Sequence, residues 1–411
     1  MADYEDREHF IPVRKSELVD LLCGKPAALA TAEQHDFRQF CRLVAATFHF
    51  EYQADMERLK DLYAPFDPDA DTITLRNPAD DDVQSRLNGL IAKLEWLLER
   101  GNYRRVPREH LEQALQDSGL WGLNFVVNFE IFDRLELFYR GDATRERILP
   151  RRWFGLRKER RVPLRIFQRL VVLLRFRKHP ALPRNVDTSS VYIKEFKDIP
   201  HTDLEMLVPG SRPKMRMWDQ GTIGFPLLTG LGMTGYRLAG GALLLAAGAA
   251  NIFAWLGVIG GTVGYGVKSY FGYLNTRNKY QLTLTESLFF QNLDNNAGVL
   301  FHLCEDALEQ ECREAFLAYY FLWREAGHDG WTADQLDDRV EQFLEQAAGL
   351  KVDFEIGDAM DKLKRLRVVE QADDGRFRAA PIEQALHNLD AAWDGFFKYH
   401  TAEPDSGALP T

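Results

Sequence analysis

Apolar residues recur at helical spacing through Phe37, Phe40, Cys41, Val44, Phe48 and Tyr52, and again through Leu87, Leu90, Ile91, Leu94 and Leu98. Residues 1–118 are therefore predicted to be helical, with the Pro/Asp-rich string from Tyr63 to Asp71 breaking the pattern. From Asn124 the chain turns to β-branched and aromatic runs: 125–132, 135–139 closing at Arg140-Gly141, 166–176 and 191–196. These predict a small, mostly antiparallel sheet over 119–218. Helical spacing returns in 273–398 through Leu308, Cys312, Phe316 and Tyr319. Thr332-Ala-Asp-Gln335 then reads as a capping box opening a helix with Leu336, Val340, Phe343 and Leu344. A third helix carries Ile356, Met360, Leu363 and Leu366, and a short hairpin follows with its turn at Asp374-Gly375. Helix, helix, helix, hairpin is the order of a winged helix. The Pro/Gly/Ser-rich end, 399–411, is expected to be disordered.

One stretch breaks both periodicities. Between Asp219 and Lys268 the only formal charge is Arg237, which separates uncharged runs of 17 and 30 residues. A membrane helix needs about 20 apolar residues, so 219–272 is predicted to be a transmembrane helical hairpin. Arg237, Gly240 and Gly241 are expected at its turn. Gly257, Gly260, Gly261 and Gly264 stand at spacings that let two helix backbones approach closely. Arg212, Lys214 and Arg216 before the run and Lys268, Arg277 and Lys279 after it place both outer ends on the cytoplasmic side.

The chain of 411 residues is 45% hydrophobic and 27% charged, with a net charge of −10, values that exclude a disordered or collagen-like chain. The distribution matters more than the total. Residues 1–139 carry −10, 140–184 carry +12, 185–280 carry +3 and 281–411 carry −15. The basic block seeks anions, and Arg151, Arg152, Arg157, Lys158, Arg160 and Arg161 are the residues expected to face anionic lipid headgroups. The acidic C-terminal module is expected to meet a protein partner. Its third helix has Lys362, Lys364, Arg365 and Arg367, but a segment of −15 is poorly suited to neutralising phosphates, so nucleic acid is not an expected partner. A homo-oligomer is compatible with the glycine spacing.

Motifs for chemistry fail on inspection. Gly230-Leu-Gly232-Met-Thr-Gly235 matches a dinucleotide-binding pattern in letters, but it lies inside the apolar run, without the acidic residue about 20 positions on. Asp67-Pro-Asp69-Ala-Asp71 begins like a calcium loop, yet Thr72 and Pro78 replace the required Gly and Glu. Cys304 and Cys312 lie about 12 Å apart along a helix, too far to share one zinc with His302. Cys23 and Cys41 complete a set of four thiols with no framework spacing, as in a reducing compartment. No catalytic constellation, metal or cofactor is expected.

Three long irregular strings remain: Tyr63-Ala-Pro-Phe-Asp-Pro-Asp69, the segment from Tyr192 to Gly210 (Tyr-Ile-Lys-Glu-Phe-Lys-Asp-Ile-Pro-His-Thr-Asp-Leu-Glu-Met-Leu-Val-Pro-Gly), and Phe290-Gln-Asn-Leu-Asp-Asn-Asn-Ala-Gly298 leading into 309–322. On these the chain resembles the uncharacterised family that includes mitochondrial transmembrane protein 143. The resemblance implies a membrane-embedded protein with a central hydrophobic hairpin and implies no reaction. The acidic start, Met1-Ala-Asp-Tyr-Glu-Asp6, departs from a transit peptide and points to a plasma (inner) membrane instead. The expectation is thus an α+β, multi-pass membrane protein with both termini cytoplasmic: a helical N-terminal region, a small sheet, a transmembrane hairpin and a winged-helix-like module. Its expected role is a non-enzymatic scaffold or interaction protein. The alternatives are a membrane-tethered metal-dependent enzyme using Asp67, Asp69 and Asp71, or a membrane-tethered DNA regulator.

Overall fold

The apolar spacing of the N-terminal region is realised as three helices, α1 (Lys15–Cys23), α2 (Thr31–Tyr63) and α3 (Asp80–Arg100). The structure is a computed structural model. It describes residues 3–4, 8–24, 29–72, 80–107, 124–126, 128–153, 156–182, 186–201, 204, 207–209, 212–214, 290–354 and 356–397. Helix α2 stops where Pro65 enters a short 3₁₀ turn, Ala64–Phe66, because proline has no N–H to continue the ladder.

Strands β1 (Asp3–Tyr4) and β2 (Arg104–Arg105) share one edge of β4 (Phe132–Trp153). The sheet continues antiparallel through β5 (Leu156–Phe176), β6 (Val191–Pro200) and β8 (Asn292–Asn295). A separate pair joins β3 (Asn124–Val126) to β7 (Arg212–Lys214). The strand expected to close at Arg140-Gly141 runs on instead. Gly141 takes a left-handed φ of 75° inside β4, and a Cβ there would lie 2.6 Å from Gln168 Oε1, so only glycine lets the strand pass. The stretch of β5 from Leu170 to Leu174 is buried on both faces, as its unbroken apolar run requires. Val171 and Leu173 join the core under the helices, while Leu170, Val172 and Leu174 join a second core with Ile131, Phe132, Phe196 and Ile199.

Helix α4 (Ala297–Arg324) is the hub. Its C-terminal half, from Gln310 to Leu322, is buried on almost every side, while Phe301, His302 and Glu305 near its start face outward. Phe40 of α2 stacks on Tyr319 at 3.9 Å, and Phe37 meets Tyr320 edge-on at 5.3 Å. After α4, Trp331 forms a bridge to Phe377. Helices α5 (Ala333–Ala348) and α6 (Gly357–Arg365) follow, then the hairpin of β9 (Val369–Gln371) and β10 (Phe377–Ala379), and α7 (Ile382–Asp394). The Thr332 capping box forms: Gln335 N–H donates to Thr332 Oγ1 at 3.3 Å and Thr332 N–H donates to Gln335 Oε1 at 3.1 Å.

The membrane expectation is corrected. Among the described residues no helix is long and apolar enough to cross a membrane. Length is not the obstacle, since α2 has 33 residues and α4 has 28. Both are interrupted by charges, such as Glu305, Asp306, Glu309, Glu311, Arg313 and Glu314 in α4, each costly in hydrocarbon. The reading of 219–272 as a transmembrane hairpin is withdrawn, and that segment lies outside the described residues. With it go the fold class of an α+β membrane protein, the role of a membrane-anchored scaffold with its membrane-tethered alternatives, and the multi-pass inner-membrane location.

Candidate functional site

The three strings singled out in the sequence meet in one place. The Tyr63 hydroxyl donates to the Val191 carbonyl at 2.9 Å. Asn296, held at a left-handed φ of 51° before α4, brackets β6: its N–H donates to Ile193 O at 2.6 Å and its Oδ1 accepts from Ile193 N–H at 3.2 Å. Its Nδ2 donates to Asp69, while Asp67 accepts from the Asp69 N–H at 3.0 Å. The Asp67–Asp71 turn is thus spent on structure, and among the described residues no group of side chains could hold a metal ion. Gly298 leaves space that a Cβ would take from the Asp294 carboxylate, so Asp294 lies over the first turn of α4.

This knot sets a buried acid beside a half-exposed base. In β6 the helix-facing slots are filled by Val191, Ile193 and then Glu195, whose side chain is 2% exposed. Its Oε2 lies 3.1 Å from Nδ1 of His302, which is 51% exposed. Asp294 Oδ2 is 3.9 Å from the same nitrogen. Arg169, opposite Lys197 in the sheet, brings Nε to 3.8 Å from Glu195 Oε1. Behind Glu195, the Tyr103 hydroxyl is 3.5 Å away and donates to Asp306 at 2.9 Å, and Asp306 is paired with Arg140 at 2.9 Å.

Burial pushes the Glu195 carboxyl above its ordinary value; Asp306 adds to this, and Arg169 and His302 pull it back only in part. Burial also drives the Tyr103 hydroxyl far up, against the pull of Arg140, so it remains a donor. A histidine whose Nδ1–H is held by a carboxylate presents a bare Nε2. That is the arrangement of a base with its orienting partner.

Two other polar clusters do different work. Glu311 on α4, 1% exposed, is clasped by Arg100 of α3 and Lys362 of α6, and Arg365 pairs with Glu51 of α2 at 2.6 Å. Two of the four basic residues noted in the third helix, Lys362 and Arg365, are therefore turned onto α4 and α2, while Lys364 pairs with Asp361 of its own helix. Four residues along β4 from Phe138, which stands in register with Glu195 through Val171, Asp142 accepts from Arg165 at 2.7 Å and lies 3.1 Å from His201 Nε2. Burial raises the Asp142 carboxyl, but the nearby His201 and the hydrogen bond from Arg165 outweigh it and hold the group low. Burial lifts the Cys304 thiol to about 11 and the Cys312 thiol to about 12, so neither supplies a thiolate near neutral pH.

Of the residues predicted from sequence, Arg237, Gly240, Gly241, Gly257, Gly260, Gly261 and Gly264 lie outside the described residues. Arg151 and Arg152 pair in register with Lys158 and Arg157 at the far end of the β4–β5 ribbon, with Arg160 and Arg161 just before. This end lies along the ribbon beyond the part of β5 that pairs with β6, and Arg161 is paired there with Glu146 at 3.4 Å. Glu195, Arg169 and Tyr103 were not anticipated. The available signal was a charge in a core-facing slot of an alternating strand.

Residues 167–298 match the model of a family described as a protein of unknown function, DUF3754. Over this stretch the chain is similar to an uncharacterised family. The matched segment contains Arg169, Glu195, Lys197, Asp294, Asn296 and Gly298, and stops four residues before His302. The match carries no link to a membrane or to transmembrane protein 143. No solved structure matches the chain.

Proposed function

We propose that the chain carries a proton-transfer site in which the His302 imidazole is the acid–base group and Glu195 positions it. The observation behind this reading is the 3.1 Å contact between Nδ1 of a half-exposed imidazole and a carboxylate buried to 2%. Glu195 holds the Nδ1 proton, leaving Nε2 to take a proton from a bound hydroxyl, water or carbon acid. Arg169, 37% exposed, offers a cation to the oxygen on which negative charge develops. Asp294, 3.9 Å from Nδ1, is a second carboxylate beside the ring. The substrate class that fits is a small molecule with a carbonyl or acyl oxygen for Arg169.

Turnover of a panel of aryl esters, amides and enolisable ketones tests the proposal. The wild type is expected to process at least one class, with His302→Ala lowering kcat by about 10²–10⁴-fold, the usual worth of a general base. Glu195→Gln is expected to lower kcat less and to alter the shape of the pH–rate profile, with Glu195→Asp restoring part of the loss. Unchanged rates in His302→Ala, or no turnover of any class, would overturn it.

A further inference from the structure

Nine residues along α4 from His302 the helix has advanced about 13 Å and turned through about half a revolution. On that far side α2, α3 and α6 enclose an open pocket of about 390 Å³, lined among others by Glu51, Tyr52, Trp96, Arg100, Lys362 and Arg365. The volume equals the share of about a dozen water molecules at about 30 Å³ each, space for a small metabolite with some solvent.

Its charges are matched in sign. Arg100 and Lys362 share Glu311. Arg365 holds Glu51 at 2.6 Å, Lys93 holds Asp55 at 2.6 Å, and Lys364 holds Asp361 at 2.8 Å. Arg365 is the most exposed of the three lining cations, 56% against 19% for Arg100 and 15% for Lys362, which sets the Arg365–Glu51 pair at the mouth. A plain anion drawn to Arg365 strips Glu51 of its partner, and a plain cation drawn to Glu51 strips Arg365. A zwitterion inserted between them leaves both matched, with its carboxylate on the guanidinium in bidentate geometry and its ammonium on Glu51. Below the mouth the partly buried Trp96 ring offers an apolar surface, with Tyr52, 3% exposed, behind it. Trp96 already carries Lys93 at 3.4 Å and Arg100 at 4.6 Å from its ring centroid, and Tyr52 carries Lys362 at 4.8 Å.

We infer that this pocket binds a free α-amino acid with an apolar side chain, its two charged ends bridging Arg365 and Glu51. The site is separate from the His302 centre. Because its walls come from α2, α3 and α6, occupancy ties the N-terminal helices to the C-terminal module, and bound ligand raises the unfolding temperature by mass action.

Calorimetric titration and thermal unfolding of the full chain with each of the twenty amino acids test it. The probes also include the matching carboxylates without the amine, the matching amines without the carboxylate, and inorganic phosphate. At least one apolar amino acid is expected to bind, with both stripped analogues weaker by about tenfold or more. Arg365→Ala and Glu51→Gln are each expected to weaken binding by about tenfold, with circular dichroism showing an unaltered fold. Three results overturn the inference: no binding of any amino acid at about 10 mM, well above a millimolar Kd; phosphate or the stripped carboxylate binding as tightly as the amino acid; or undiminished binding in both variants.

Discussion

Helix α4 carries one buried carboxylate and packs against a second, and the two are handled in opposite ways. Glu311 is 1% exposed and gripped directly by two cations from separate helices, Arg100 and Lys362. Glu195 is 2% exposed, yet its nearest cation, Arg169, stands off at 3.8 Å and its closest partner is a half-exposed histidine. Removing a charge from water is expensive unless it is fully paired. The Glu311 cluster meets that demand and locks α3, α4 and α6 together. The Glu195 cluster meets it only in part, its carboxyl is pushed upward as a result, and the shortfall faces the surface through His302. The tightly paired acid is a joint between helices, and the loosely paired one is the acid on which the proposed proton-transfer site rests.

The contrast can be broken by mutation. Glu311→Ala leaves the partly buried Arg100 and Lys362 without their shared partner, and should cost about 1–3 kcal/mol in urea unfolding; a loss below about 1 kcal/mol would remove the distinction drawn between the two acids. Asn296→Ala deletes the side-chain bonds to Ile193 and Asp69 that tie the three sequence strings together, for an expected loss of about 1–3 kcal/mol. Glu195→Gln has a pH signature. A carboxyl with its folded value raised above 4.5 favours the folded state most at low pH, and that contribution is lost as pH rises through the folded value. The stability of Glu195→Gln relative to wild type should therefore climb over that interval, and a flat difference would contradict the assignment. His302→Ala takes from the buried Glu195 its closest partner and should cost about 1–3 kcal/mol, while lowering turnover by about 10²–10⁴-fold.

Much of the helical layer was legible because apolar periodicity needs no partner to be seen: Phe37, Phe40, Val44 and Phe48 declare the buried face of α2, and Thr332 with Gln335 declares the start of α5. The β4–β5 ribbon was underestimated because Gly141 looks like a stop. Its φ of 75° and its contact with Gln168 show a glycine needed to keep a strand going. The apolar run after Asp219 suggested a membrane on composition alone, without a helix in the described residues to support it. The candidate site was the least legible part. Its members are 107 residues apart at Glu195 and His302, and no local spacing encodes a contact made between a strand and a helix. The irregular strings did mark the spot, since Asp69, Asn296 and Gly298 build the knot that brings β6 and α4 together.

The imidazole itself tests the central claim most directly. Nitrogen-15 NMR of His302 in its neutral form distinguishes the two ring tautomers. The arrangement with Glu195 predicts a proton on Nδ1 and a bare Nε2 in the wild type, with that preference lost in Glu195→Met, which keeps the bulk and removes the acceptor. A wild-type imidazole protonated at Nε2, or the same tautomer in both proteins, would contradict the role assigned to the pair.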